Sequence, residues 1–199
     1  NKGEHLRIRI KFENSKKAYE KLPRINKWID YMMRQVLIND VTYDIYFREI
    51  NRYGGKEIIE FCEKIFFKDS LTVEKILSYY DLNQIDNIEK SYIIGITFIL
   101  KNLTKGLEEM FQILDSMGFQ NNYRKEYREE SRCYLQYVRS VLNECEEKYL
   151  DVKEEHLQEK RALKIYAKKL ENQIKLKKNT NKKENIILSI IHMYCNRIT

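Results

Sequence analysis

The sequence predicts an α+β fold that is predominantly helical, with short N-terminal strands at about residues 5–12 and 41–47 packed on a multi-helix body. Three observations lead there. Positions 5, 7 and 9 carry His, Arg and Arg while 6, 8, 10 and 12 carry Leu, Ile, Ile and Phe, the period of two of a half-buried strand. A second alternating run sets Val41, Tyr43, Ile45 and Phe47 on one side. From Lys56 onward apolar residues recur at helical spacing, in a chain with one proline and six glycines to interrupt helices.

Taken in order, Asn14 or Ser15 caps a short helix reaching Lys21, and Pro23 opens a new one to about Ile38. Its stripe is Leu22, Ile25, Ile29, Met32, Met33, Val36 and Leu37, with Trp28 and the methionines read as core. Asn39 and Asp40 turn the chain into the second strand, and Gly54-Gly55 supply a turn at positive φ. The next stripe is Ile58, Cys62, Ile65 and Phe66; Asp69 or Ser70 then caps a helix carrying Val73, Ile76, Leu77 and Tyr80. Residues 81–87 read as a loop. A strongly apolar helix (Tyr92, Ile96, Ile99, Leu100, Leu103) and a second one (Leu107, Met110, Phe111, Leu114), stopped near Gly118, belong at the centre. Residues 123–149 and 153–178 form a long antiparallel hairpin with His156 on its surface, and after a polar break at 179–181 Ile186, Ile187, Ile190, Ile191 and Tyr194 build a last helix.

At 199 residues, with 43% apolar and 34% charged side chains, the chain fits one domain with a sizeable core and is not compositionally disordered. A net charge of +7 and a pI near 9.0 permit contact with nucleic acid or an acidic peptide, yet the excess is diffuse apart from the lysines between 164 and 183. Those lysines read first as a solvated helix face. Cys62, Cys133, Cys145 and Cys195 are widely spaced with no C-x-x-C, a pattern of reduced cytosolic thiols and not of a zinc module, so no metal is expected. The run from Tyr92 to Leu100 is far short of the roughly 20 residues of a spanning helix, and no secretory leader is recognisable, which predicts a soluble cytoplasmic chain, peripheral to a membrane only through partners. No P-loop, dinucleotide fingerprint or serine elbow is present.

Chemistry-bearing residues gather in a few places. Arginines at 7 and 9 on one strand face suit bidentate carboxylate recognition, against the plainer reading of a solvated face. Glu49 and Arg52, at i, i+3 once the chain turns helical, pair on one surface. His192 and Asn196 share a helix face at i, i+4; taken alone, such a histidine is a structural residue.

In order along the chain, His5-Leu-Arg7-Ile-Arg9, Tyr43-Asp-Ile-Tyr46 leading into Glu49-x-x-Arg52-Tyr53-Gly54-Gly55, Phe67-x-Asp69-Ser70 and His192-x-x-x-Asn196-Arg197 resemble the signature of the C-terminal glutamate-elimination domain of class I lantibiotic dehydratases. The resemblance spans almost the whole chain, which starts just before the first motif and stops soon after Arg197, where the family continues. It implies β-elimination of glutamate from glutamylated Ser or Thr of a precursor peptide, a lyase-type step that leaves dehydroalanine or dehydrobutyrine. Arg9 and Arg52 would hold the glutamyl carboxylates with Arg7 assisting, His192 would transfer a proton, and Glu49 would pair with the glutamyl ammonium or orient an arginine. His5, Tyr53, Asn196 and Arg197 would complete the substrate site.

The resemblance implies no cofactor in this domain, because glutamyl-tRNA serves a separate glutamylation domain. Implied partners are the glutamylated precursor peptide, that glutamylation domain, a lantibiotic cyclase and transporter complex and a second copy in a homodimer, with no direct nucleic acid. Two other readings compete: a non-catalytic basic helical module that binds a peptide or RNA, and a related cyclase, which the arginines of HLRIR and RYGG argue against.

Overall fold

The computed structural model describes residues 6–79, 85–118, 124–145, 152–178 and 181–198. They form seven helices, α1 Ser15–Arg34, α2 Ile59–Tyr79, α3 Ile85–Leu103, α4 Leu107–Asp115, α5 Arg124–Leu142, α6 Lys153–Lys175 and α7 Lys183–Ile198, and no strand among the described residues. The α+β expectation is thereby corrected to all-helical. Residues 6–12 and 41–47 keep their alternating sequence but form no ladder. A strand exists only through hydrogen bonds to a neighbour, and the period of two records the amphipathic pattern without supplying that neighbour. Leu6, Ile8, Ile10, Ile45 and Phe47 are accordingly exposed.

The chain divides into two compact units, Asn1–Arg48 and Glu49–Thr199. In the first, α1 starts as expected: the Asn14 side chain accepts the Lys17 amide at 2.9 Å. It then runs through Pro23 without the break the sequence suggested. Proline withholds one amide from the carbonyl four residues back, here that of Tyr19, on a stretch exposed to water that can satisfy it. Leu22, Ile25, Ile29 and Met32 are half-buried, but no residue of α1 is fully buried, and Trp28 and Met33, assigned to the core, are exposed. Tyr43 Oη donates to Asn26 Oδ1 at 2.5 Å, tying the segment after α1 back to its face.

In the second unit α2 and α3 each pack on both α6 and α7, so that four helices enclose the core, while α4 and α5 lie against α3. Ile58, Ile59, Cys62 and Ile65, Ile94, Phe98 and Ile99, Leu163, Tyr166 and Leu170, and Ile186, Ile187, Ile190 and Tyr194 fill the interior. Residues 153–175 form the expected helix, but its main partners are α2 and α3; the α5/α6 hairpin is replaced by α5 packed on α3. Lys101 secures that contact by donating to the last carbonyls of α5, Val141 O at 2.7 Å and Leu142 O at 3.2 Å. In α4 Met110 and Ile113 are buried while Leu107, Phe111 and Leu114 face outward, a rotation of the predicted stripe. Residues 85–87, assigned to a loop, are the first turn of α3, and residues 81–84 of that loop lie outside the described residues.

Three helices end on a left-handed residue that is not glycine. Val36, Glu144 and Lys177 have φ of 58°, 56° and 53°, and each is followed by an amide that reaches back five residues: Leu37 to Met32 O, Cys145 to Ser140 O and Lys178 to Gln173 O. This is the Schellman arrangement, normally signalled by glycine at that position.

Gly95 sets the closest approach of α3 and α7. A Cβ there would fall 2.1 Å from Tyr194 Cζ and Oη, and Tyr194 is held in place by donating to Ser91 O at 2.7 Å. Gly95→Ala should therefore destabilise the protein by about 1–3 kcal/mol, as overpacking of a filled core does, which urea denaturation followed by circular dichroism measures directly.

Candidate functional site

The segment from Glu49 to Gly55 is a compact turn ahead of α2. The Arg52 amide donates to Glu49 O at 3.1 Å and the Gly55 amide to Ile50 O at 2.9 Å. Gly54 and Gly55 take φ of 90° and 110°, as their sequence position suggests, and a Cβ on Gly54 would meet Ile58 Cδ1 at 2.5 Å and Leu170 Cδ1 at 3.2 Å. Tyr53 is buried, its carbonyl accepts the Tyr166 hydroxyl of α6 at 2.9 Å, and its ring meets Phe66 of α2 edge-on at 5.0 Å. With Tyr53 anchored inward, the neighbouring Arg52 points out. It donates to Glu49 Oε1 at 3.0 Å, its guanidinium carbon lies 5.6 Å from the Tyr53 ring, and the Arg52 and Glu49 side chains are 36% and 43% exposed.

On α7, His192 and Asn196 occupy the solvent side, away from Ile187, Ile190, Ile191 and Tyr194. Asn196 Nδ2 lies 3.1 Å from His192 Nε2. Arg197 turns the other way. It donates to Asp69 Oδ2 at 2.6 Å and to Met193 O at 2.8 Å, and its guanidinium carbon lies 5.0 Å from the Phe66 ring. Phe66 thus stands between Tyr53 and Arg197, linking the Arg52 turn to the end of α7 through aromatic and cation–π contacts.

Asp69 and Ser70 do not cap a helix. Both lie within the unbroken α2, where Ser70 Oγ donates to Phe66 O at 2.7 Å and Asp69 is buried against Arg197. Glu159 of α6 is also buried, and its role is not among the sequence expectations. Burial pushes the Glu159 carboxyl up to about 8, the charge of Asp69 adding to the rise while Thr72 and Arg197 oppose it. Burial likewise raises Asp69, to about 6, against the pull of Arg197. Burial thus works against the charged form of both carboxyls, and the Arg197 guanidinium beside them works the other way. Thr72 Oγ1 donates to Glu159 Oε2 at 2.9 Å and lies 3.2 Å from Lys68 O.

A signal for Glu159 exists in the sequence. The buried residues of α6 are His156, Glu159, Leu163, Tyr166, Leu170 and Gln173, a strict alternation of three and four, so an ionisable residue sits on an otherwise apolar stripe. His156, expected on the surface, is buried on the same stripe and stacks on Phe98 at 4.3 Å.

In the first unit Arg7 and Arg9 are exposed, and the Arg9 guanidinium carbon lies 4.7 Å from the Tyr46 ring. His5 lies outside the described residues. The structure thus brings Glu49, Arg52 and Tyr53 together in one turn and His192 with Asn196 on one helix face, and turns Arg197 into the interior. Among the described residues no group of three or more His, Cys, Asp or Glu side chains is placed to hold a metal, and no helix is long and apolar enough to cross a membrane.

Residues 1–199 match the family described as Lantibiotic biosynthesis dehydratase C-term over the whole chain, and the protein belongs to that family. The chain is 26% identical over 200 residues to the subtilin biosynthesis protein SpaB of Bacillus subtilis, covering 96% of this chain and 19% of the relative. It is 32% identical over 183 residues to the epidermin biosynthesis protein EpiB of Staphylococcus epidermidis, covering 87% of this chain and 17% of the relative. The chain therefore spans less than a fifth of the length of these relatives. No solved structure matches it.

The Glu159 proton carries a stability signature. The folded protein binds this proton more tightly than the unfolded chain, so the stabilisation is complete below the ordinary carboxyl value of 4.5 and is lost as pH rises through about 8. Glu159→Gln, neutral at every pH, should remove this fall, which has a limiting slope of about 1.4 kcal/mol per pH unit for one proton. Urea denaturation of both proteins at pH 5, 7 and 8.5 should show the variant gaining on the wild type as pH increases.

Proposed function

We propose that this chain performs the glutamate-elimination step of lantibiotic dehydration, acting as a lyase on glutamylated Ser or Thr of a precursor peptide. The observation that carries this reading is the Arg52 guanidinium, held at the surface by a turn whose next residue is buried. Such a group recognises a carboxylate without risk of losing its own charge, and the exposed Glu49 beside it matches the substrate's ammonium.

The reaction needs a base for the Cα proton. The electron pair released forms the Cα=Cβ bond while the Cβ–O bond breaks, and glutamate departs with that bond's electrons as a carboxylate. Arg52 stabilises the charge growing on the departing carboxylate, as a preorganised cation does most effectively where charge develops. His192, beside Asn196 on one face of α7, acts in proton transfer. The family resemblance gives Arg9 a share in holding the glutamyl carboxylates, with Arg7 assisting, and gives His5, Tyr53 and Asn196 places in the substrate site. The glutamylated peptide is the substrate; the glutamylation domain that supplies it, a cyclase and transporter complex that receives the product and a second copy of the chain are the partners this reading implies. No cofactor enters the step, and the chain works in the cytoplasm.

Mass spectrometry of a synthetic precursor peptide bearing an O-glutamyl serine tests this reading. Incubation should release intact glutamate and leave a dehydroalanine. His192→Ala should slow the conversion by about 10²- to 10⁴-fold, the usual contribution of a positioned acid or base, and Arg52→Ala should likewise leave the glutamylated peptide unconverted. A folded wild-type protein that leaves the ester intact overturns the reading.

A further inference from the structure

We propose that Asp69 is a positioning residue for this reaction: through Arg197 it fixes the end of α7 and the aromatic contact behind Arg52, without touching substrate. The inference rests on the elimination reading and assigns work to two residues whose sequence pattern suggested other roles.

The Arg197 guanidinium spends its contacts inward. One nitrogen donates to both Asp69 Oδ2 and Met193 O, the plane lies over Phe66, and the side chain is 18% exposed. Met193 directly follows His192, so the bond to its carbonyl locks the helical turn from which His192 and Asn196 project on the other side. Phe66 in turn bears on the ring of Tyr53, the residue after Arg52. Asp69 therefore reaches the His192 turn through Arg197, and Arg52 through Arg197, Phe66 and Tyr53, and it sits on α2, to which neither reacting group belongs.

The surroundings of Asp69 keep that grip directional. Its Oδ1 is buried with no hydrogen-bond partner among the described residues, so the carboxylate is satisfied chiefly through Oδ2 and Arg197. Titratable groups facing the cluster come from all three helices: Cys62 and Asp69 from α2, Glu159 and Tyr166 from α6, Tyr194, Cys195 and Arg197 from α7. Among these Arg197 is the cation, and Asp69 is the carboxyl that bonds it, at 2.6 Å. An amide in place of Asp69 keeps the shape and removes the charge that aims the guanidinium.

The test compares the intact protein with its Asp69→Asn, Arg197→Gln and double variants on the O-glutamyl serine peptide, measuring kcat, KM and melting temperature. Positioning predicts that Asp69→Asn lowers kcat by about tenfold to a hundredfold, as small misplacements of reacting groups do, with KM within about twofold of wild type. Arg197→Gln and the double variant should lose no more than Asp69→Asn alone, because the two residues act as a unit. The double variant also separates positioning from folding, since it leaves no unpaired buried charge and should recover melting temperature lost in the single variants. Recovery of melting temperature with kcat still low supports the proposal. Recovery of both, an unchanged kcat in Asp69→Asn, or a loss confined to KM overturns it. A wild-type protein that is folded but inactive overturns the elimination reading itself, and this inference with it.

Discussion

The buried stripe of α6 from His156 to Gln173 meets both α2 and α3, and the anchoring of the Arg52 turn depends on it. Leu163, Tyr166 and Leu170 supply the apolar surface, and Tyr166 also donates to the Tyr53 carbonyl, which fixes the turn against the bundle. Burying side chains of this size stabilises by about 1.5–3 kcal/mol each, whereas the single hydrogen bond adds about 1. Packing therefore supplies the adhesion, and the polar contact selects one register for the turn. Gly54 enforces the same choice, since any side chain there collides with Ile58 and crowds Leu170.

Much of the larger unit is legible because helices are local. Apolar spacing marks much of the buried faces of α2 and α7, down to Ile58, Cys62 and Ile65 or Ile186, Ile187 and Ile190, and part of those of α3 and α6, where it misses Ile94, Phe98, His156 and Glu159. Helix ends are less legible: α1, α5 and α6 stop at left-handed Val36, Glu144 and Lys177, where no glycine announces the stop. The two expected strands fail for the opposite reason. The alternation from Leu6 to Phe12 is real, but pairing is a property of two segments, and the described residues of the first unit provide no ladder for it. The candidate site divides along the same line. Glu49, Arg52 and Gly54-Gly55, or His192 and Asn196, lie within a few residues of each other and are readable together. The contact between Asp69 and Arg197 joins residues far apart in sequence, and an aspartate before a serine reads locally as a cap.

Arg52 and Arg197 show how environment divides two identical side chains between different tasks. The Glu49–Arg52 pair is partly exposed, and such pairs are worth about 0–1 kcal/mol, so an incoming carboxylate can exchange with Glu49 at little cost. The Asp69–Arg197 pair is largely out of water, with Asp69 at 3% side-chain exposure, and removing one partner of a buried pair costs about 3–5 kcal/mol. A substrate anion would have to offset that loss before Arg197 turned outward. Phe66 and Tyr53 lie between the two guanidinium groups, so the buried arginine braces the contact against which the exposed one is held. Only a pair that opens cheaply serves recognition, and only one that resists opening serves as a brace.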